Sequence, residues 1–169
     1  MSIPPKACED GEEFNFQDGG QDWIISWHSP NVAPPGTPHG SAAVCFTPER
    51  KVVLVSATHG KFWEFPGGRP EGNEEWRDTL EREVSEEACA QVTDASLLGF
   101  CVGRCTKGHE EGLVIVRAAW RSAVVLMPWK PQHETTDRRT IEADAALDAI
   151  RIPQGARPIY ERWMQASLA

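Results

Sequence analysis

The sequence of 169 residues predicts a single α/β domain, in which a mixed β-sheet is covered by helices on both faces. Apolar runs of strand length recur along the chain, and the first two, SAAVCFT and KVVLVSA, are separated by three residues that favour a β-hairpin. Residues 73–88 contain neither proline nor glycine and begin with an asparagine cap, which predicts a helix. Strands that alternate with helices in this way favour a layered sheet.

The other elements follow from the same patterns. Four prolines in SPNVAPPGTPHG, residues 29–40, predict a loop, and the polar stretch 130–139 predicts a second one. We expect strands at 22–28, 61–68, 96–106, 112–120 and 122–128, and helices at 141–150 and 158–167. The strand at 61–68 should end in the tight turn of Gly67 and Gly68.

The N-terminal 21 residues differ in composition from the rest. They carry five acids and three glycines, which predicts a mobile acidic arm over residues 1–21. Residues 22–169 should then form the folded domain. No apolar run approaches the length of about 20 residues that spans a bilayer, and the arm has no apolar centre, so we expect a cytoplasmic protein without a membrane contact.

The net charge of −8 disfavours binding to DNA or RNA polymers. It leaves room for a small phosphorylated substrate, because a bound divalent metal reverses the local sign of the charge. The five cysteines are an odd number at scattered spacings, which indicates free thiols in a reducing compartment.

The acids concentrate in the predicted helix and the turn before it. Residues 69–87 contain eight acids and three arginines, a local net charge of 3 − 8 = −5. Glu83, Glu86 and Glu87 stand at i, i+3 and i+4, so they share one helix face. Such a face is often only solvated. Here it follows a glycine turn whose backbone can approach a ligand, and carboxylates with a carbonyl suit Mg²⁺ or Mn²⁺.

The segment from Gly68 to Ala90 resembles the Nudix box. Five residues separate Gly68 from Glu74, and seven more precede the run 82–90, which reads REVSEEACA. Every fixed position of the motif matches except one, because Cys89 replaces the second glycine. The resemblance implies an α/β/α sandwich like that of MutT-type hydrolases. A left-handed Cys89 would cost about 1–2 kcal/mol, so we expect strain or a shifted turn there but no lost chemistry.

The resemblance also implies roles for the matching residues. Glu83, Glu86 and Glu87 would bind one or more Mg²⁺ ions together with the carbonyl of Gly67, and one of these carboxylates would help to deprotonate the attacking water. Glu83, Glu86 and Arg82 are therefore the catalytic candidates, with Arg82 orienting the acids.

Four further residues are candidates for binding the substrate or for shaping the loop that holds its phosphates. Gly68 and Glu74 would shape the phosphate loop, with Glu74 bracing the junction between loop and helix. Glu134, in the polar loop, is the candidate for an additional acid, and Trp63 is the candidate for stacking on a base. Solvated carboxylates and core aromatics are the plainer interpretation of both.

The implied reaction is Mg²⁺-dependent hydrolysis of a nucleoside diphosphate linked to another moiety, with Mn²⁺ as a substitute metal. The preferred substrate is an ordinary or oxidised nucleoside triphosphate, cleaved to the monophosphate and pyrophosphate. ADP-ribose or a nucleotide sugar is the alternative. Two other classes stay open: a non-catalytic nucleotide-binding module, and an isomerase-like member acting on an isoprenoid diphosphate. A homodimer is also open, because the acidic arm and the C-terminal helix with Tyr160, Trp163 and Met164 could pack across a two-fold axis, or could close over the core of the same chain.

Overall fold

The computed structural model describes residues 6–169. Its strands are β1 (Glu13–Asp18), β2 (Gln21–His28), β3 (Thr37–Phe46), β4 (Val52–Ser56), β5 (Gly67–Gly68), β6 (Ala90–Lys107), β7 (Val114–Leu126) and β8 (Asp137–Ile141). Its helices are α1 (Trp76–Ala88), the single turn α2 (Ala146–Ala149) preceded by a 3₁₀ turn (Ala143–Ala145), and α3 (Arg157–Leu168).

The strands form one mixed sheet. Its order is β1-β2-β6-β7-β3-β4-β8, and the short β5 pairs with β3. The pair β3–β7 is parallel, whereas the other strand pairs are antiparallel. The predicted mixed sheet is therefore confirmed, and its parallel pair lies at the centre, where both faces are buried.

Helices cover both faces of the sheet. Successive side chains of β3 and β4 point to opposite faces, so each of these strands contributes apolar residues to both cores. Ala43 and Val53 pack with Leu80 of α1 on one face. Val44 and Leu54 pack on the other face, in a cluster that includes side chains of α2 and α3. The predicted α/β/α sandwich is confirmed. No helix within residues 6–169 is long and apolar enough to cross a bilayer.

The acidic N-terminal segment differs from the prediction. Residues 13–18, expected to lie in a mobile arm, form β1 and pair with β2 along its whole length. Phe16 stacks on Trp23 at a ring distance of 6.3 Å. Arg162 of α3 donates to the carbonyl of Cys8 and pairs with Asp10 at 3.0 Å. Aromatic packing between β1 and β2 thus stabilises a strand in a segment for which the polar composition predicted a mobile arm. Residues 1–5 of the predicted arm lie outside the described part.

The C-terminal half also departs from the predicted boundaries. β6 begins at Ala90, directly after α1, and β7 is one continuous strand where two were expected. Residues 137–141 form β8 on β4 rather than a loop and the start of a helix. An edge strand tolerates the charged sequence DRRTI, which explains why a polar stretch joins the sheet.

Candidate active site

Helix α1 places the acids of the motif beside the glycine turn. It begins three residues later than predicted, after Glu75, whose backbone N–H donates to Asp78 at 3.1 Å. Leu80, Val84 and Ala88 are completely buried against the sheet. Because this face is packed against the sheet, the acids of the motif lie on the flank of α1. There Glu83 is next to the glycine turn, so close that a Cβ added to Gly68 would collide with its carboxylate.

Arg82 connects the acids with the loop before the helix. Its Nε and Nη2 donate to the two carboxylate oxygens of Glu74, at 2.8 and 3.0 Å. Its Nη1 donates to Glu83 at 3.0 Å and to Glu86 at 3.2 Å. Nη2 also donates to the carbonyl of Arg69 at 2.8 Å. Since only 19% of the Arg82 side chain is exposed, these contacts are shielded from water and fix the geometry of the acids.

The glycine turn touches the acids directly. Gly67 and Gly68 form β5 and pair with Ala42 and Ser41 of β3. The Gly67 N–H donates to Glu87 at 3.4 Å. A Cβ added to Gly68 would lie 2.4 Å from the carboxyl carbon of Glu83, so only glycine permits this approach. The turn therefore brings backbone groups to two of the three predicted metal-binding acids.

The pKa values of the acids separate into two groups. Burial raises the pKa of Glu87 to about 8, with the negative charges of Glu83, Glu64 and Glu134 acting in the same direction. Burial likewise raises the pKa of Glu83, although Arg82 opposes the shift. Hydrogen bonds from Arg82 instead lower the pKa of Glu74 to about 2. The fold therefore disfavours the charged form of Glu83 and Glu87 and favours the charged form of Glu74.

The donor set fits a hard divalent cation. Within residues 6–169, no three His, Cys, Asp or Glu side chains are already arranged as a metal site. Two of the predicted ligands, Glu83 and Glu86, accept hydrogen bonds from Arg82 instead. Carboxylate oxygens beside a backbone turn are nevertheless the donors that Mg²⁺ and Mn²⁺ prefer. A cation bound beside Glu83 and Glu87 would favour their charged form, which burial disfavours.

The remaining predicted residues lie in different places. Glu134 is exposed in the loop after β7, close enough for its charge to raise the pKa of Glu83 and of Glu87. Trp63 is half-buried against the core, with the guanidinium of Arg139 4.6 Å from its ring centre. Glu134 therefore acts on Glu83 and Glu87 through its charge, whereas Trp63 packs against the core and is not among the residues lining the cavity described below.

Cys89 adopts the conformation that its motif position requires. It ends α1 with φ 48° and ψ 50°, the left-handed region in which a side chain is strained. The helix end is covered by Arg138 of β8, whose Nη1 donates to the carbonyls of Ala88, Cys89 and Met127 at 2.9, 3.1 and 2.9 Å. Sequence reasoning missed Arg138, because nothing within α1 indicates a partner about 50 residues away.

A cavity on the other side of Gly67 was also missed. Its volume is about 320 Å³, and it opens between the sheet and α3. Its polar lining comes from Asp18, Glu64, Arg117 and Arg151, and its apolar lining comes mainly from Phe65, Ile150, Tyr160 and Trp163. The complete lining, which also includes Ala42 of β3, comes from six separate segments, so no local pattern reveals the cavity.

Comparison with known proteins agrees with the motif. The model of the NUDIX domain matches residues 37–163, so the chain belongs to the Nudix family. Comparison with proteins of curated function gives no match.

Solved structures share the fold. The chain is similar to the Bacillus subtilis pyrophosphohydrolase BsRppH, with 24% identity over 75% of this chain and 76% of that one, and a TM-score of 0.57. It is also similar to a MutT protein from Bacillus halodurans, with 16% identity, 75% and 81% coverage and a TM-score of 0.58. A NUDIX hydrolase from Nitrosomonas europaea gives 22% identity, 75% and 88% coverage and a TM-score of 0.56. The predicted class, a pyrophosphohydrolase acting on acid anhydrides, is confirmed.

Proposed function

We propose that this protein hydrolyses a nucleoside diphosphate linked to another moiety, with Mg²⁺ held by Glu83, Glu86, Glu87 and the carbonyl of Gly67. The observation that carries the proposal is the contact between α1 and the glycine turn. Glu83 lies against Gly68 and Glu87 accepts from Gly67, so carboxylates and backbone converge on one point. Mn²⁺, which favours the same oxygen donors, is the expected substitute.

The residues of the site have separate roles in the proposed reaction. Arg82 holds Glu83 and Glu86 in place and is itself fixed by Glu74. Glu83 or Glu86 accepts the proton of the attacking water, and Glu134, in the loop after β7, acts on Glu83 through its charge. The metal, when bound, neutralises phosphate charge and lowers the pKa of the water. Gly68 leaves room for a phosphate to pass over the turn, since a side chain there would collide with Glu83.

The proposed substrate is an ordinary or oxidised nucleoside triphosphate, cleaved to the monophosphate and pyrophosphate. The cavity next to Gly67 supports a nucleotide, because its aromatic lining offers apolar contact within reach of the acids. ADP-ribose or a nucleotide sugar is the alternative substrate. Trp63, assigned to base stacking from the sequence, is not part of this proposal, since Arg139 covers its ring.

The test is a panel of possible substrates incubated with the purified protein and Mg²⁺. The panel contains nucleoside triphosphates with ordinary and oxidised guanine, ADP-ribose, nucleotide sugars and dinucleoside polyphosphates, and phosphorus NMR identifies the products. Glu83→Gln and Glu86→Gln should each abolish turnover. Glu81→Gln is the matched control, because Glu81 lies on the exposed side of α1 and, among residues 6–169, pairs with Arg77 alone.

Each outcome separates the candidates. Monophosphate and pyrophosphate from a triphosphate, lost in both site variants but kept in the control, support the proposal. Cleavage of ADP-ribose or a nucleotide sugar keeps the mechanism and changes the substrate. If no compound is turned over with any divalent metal, the non-catalytic binding module is favoured instead. Sedimentation of the same sample tests the predicted homodimer, which stays a prediction, as does the cytoplasmic location.

A further inference from the structure

Thr135 is a buried residue in a loop that is mostly exposed. Residues 130–134, directly before it, are all exposed, whereas only 6% of Thr135 is accessible to water. Its hydroxyl donates to the carbonyl of Glu87 at 2.7 Å. Because a buried hydroxyl costs free energy unless it finds a partner, this bond fixes the point at which the loop meets helix α1.

The partner of Thr135 is a carbonyl that the helix itself leaves free. Glu87 lies in the last turn of α1, where carbonyls have no helical N–H to accept from, since the chain enters β6 at Ala90. The side chain of Glu87 is held separately, because it accepts from the Gly67 N–H at 3.4 Å. Thr135 and Gly67 therefore hold the backbone and the carboxylate of the same acid.

Thr136 fastens the loop to a second element. Its N–H donates to the carbonyl of Ser56, the last residue of β4, at 2.7 Å. Its hydroxyl oxygen accepts from the backbone N–H of His59 at 2.9 Å. The two threonines thus tie the loop to the end of α1 and to the end of β4, so the chain directly after Glu134 is held at two points.

Glu134 has no contact of its own that would place its side chain. It is exposed and, in the described part of the chain, forms neither an ion pair nor a side-chain hydrogen bond. Its charge nevertheless raises the pKa of Glu83 and of Glu87. The position of such a carboxylate is set by the backbone that carries it, and that backbone is held by Thr135 and Thr136.

We propose that Thr135 is a positioning residue for the hydrolysis, because its bond to the Glu87 carbonyl holds Glu134 where its negative charge strengthens metal binding. The inference rests on the proposed function, since it concerns the metal that Glu83, Glu86 and Glu87 are proposed to hold. Thr135 itself contacts neither metal nor substrate in this role. Its effect passes through Glu134, whose charge attracts a cation at the acids of α1.

The test removes the hydroxyl of Thr135 and keeps the shape of the side chain. Calorimetry with Mn²⁺, without substrate, measures the metal affinity. We expect Thr135→Val to lower this affinity by about 10- to 100-fold, the usual cost of losing a group that orients a metal site. Thr135→Ser keeps the hydroxyl and should keep the affinity of the wild type. Thr140→Val, at an exposed threonine of β8, is the matched control and should leave the affinity unchanged.

A double variant shows whether the effect passes through Glu134. Glu134→Gln alone should lower the Mn²⁺ affinity at least as much as Thr135→Val does. Addition of Thr135→Val to Glu134→Gln should then change the affinity little further, because two residues that act as a unit are not additive. Losses that add up would mean that Thr135 acts on Glu87 or on the fold, and they would overturn the proposal.

The remaining outcomes separate this inference from the proposed function. If the wild type binds Mn²⁺ and Thr135→Val binds it equally well, the inference is wrong and metal-dependent hydrolysis stands. If the wild type binds neither Mn²⁺ nor Mg²⁺, the inference and the proposed function fail together. Glu134→Gln changes an exposed residue and so tests the inference even if Thr135→Val does not fold, since an unchanged Mn²⁺ affinity in Glu134→Gln also overturns it.

Discussion

Arg82 binds both carboxylate oxygens of Glu74, eight residues earlier in the chain, at 2.8 and 3.0 Å. This bidentate pair lies between the loop that carries the phosphate turn and the helix that carries the metal-binding acids. The third nitrogen of Arg82 contacts Glu83 and Glu86, so one guanidinium sets the position of three carboxylates. Loss of this planar geometry should therefore affect the chemistry more than the fold.

Arg82→Lys tests that relationship. Lysine keeps the charge but cannot bind Glu74 in a bidentate way and reach Glu83 at the same time. We expect kcat or metal affinity to fall by about 10- to 100-fold, the usual cost of losing a group that orients metal ligands. Steady-state kinetics over a range of Mg²⁺ concentrations measure both quantities. Arg77→Lys, in the exposed pair with Glu81, should leave them unchanged; equal losses in the two variants would contradict the assignment.

Cys89→Gly should stabilise the protein. Cys89 has φ 48°, where a side chain costs about 1–2 kcal/mol, and glycine offsets part of the gain by its greater freedom in the unfolded chain. We expect the free energy of unfolding to rise by about 0.5–1 kcal/mol in urea titrations. Cys89→Ala removes the thiol and keeps the Cβ, so it should show no such gain. A gain in both variants would assign the effect to the thiol instead.

Arg138→Met should loosen the loop that carries Glu134. Arg138 is the group that covers the carbonyls at the end of α1, and Thr135 adds a bond of 2.7 Å to the carbonyl of Glu87. Because a charged donor to several carbonyls is lost, we expect a destabilisation of about 1–3 kcal/mol. Hydrogen exchange should accelerate in residues 127–136 and in the last turn of α1. Arg139→Met, the neighbouring exposed arginine, serves as the control and should leave exchange in these segments unchanged.

His39 should make stability depend on pH. Burial lowers its pKa to about 4, and the positive charges of Arg117 and Arg69 act in the same direction. Since the unfolded value is about 6.5, the unfolded state binds more protons between pH 4 and 6.5, and stability rises with pH through this window. Wild type should therefore lose about 1–2 kcal/mol more than His39→Gln between pH 7 and pH 5. Denaturation at the two pH values measures the difference, and parallel losses would contradict it.

NMR titration of the His39 ring checks the cause of this shift. Arg117→Met removes the largest positive charge acting on the ring, so the pKa of His39 should rise, yet stay below 6.5 because burial is the larger cause. Arg121→Met should leave the pKa unchanged. A return of the His39 pKa to its ordinary value in Arg117→Met would show that charge, not burial, dominates.

The features of α1 could be predicted because they are local. Glu83, Glu86 and Glu87 share a face through helical spacing alone, and the two consecutive glycines before them mark the turn in the sequence itself. The spacing of the motif likewise identified the family before any contact was known. The buried runs of β3 and β4 were recognisable for the same reason, since their apolar residues are consecutive in the chain.

The remainder depends on segments that lie far apart in the sequence. β1 and β8 are polar strands that exist because β2 and β4 supply hydrogen bonds to them. Arg117 comes near Gly67 because Ala42 of β3 pairs with Gly67 on one side and with Ala119 of β7 on the other. Spacing along a chain encodes the face of a helix. The register between remote strands depends on the packing and hydrogen bonding of the complete sheet. That register determines the shape of the cavity, the position of Arg138 over the end of α1 and the position of the loop that carries Glu134.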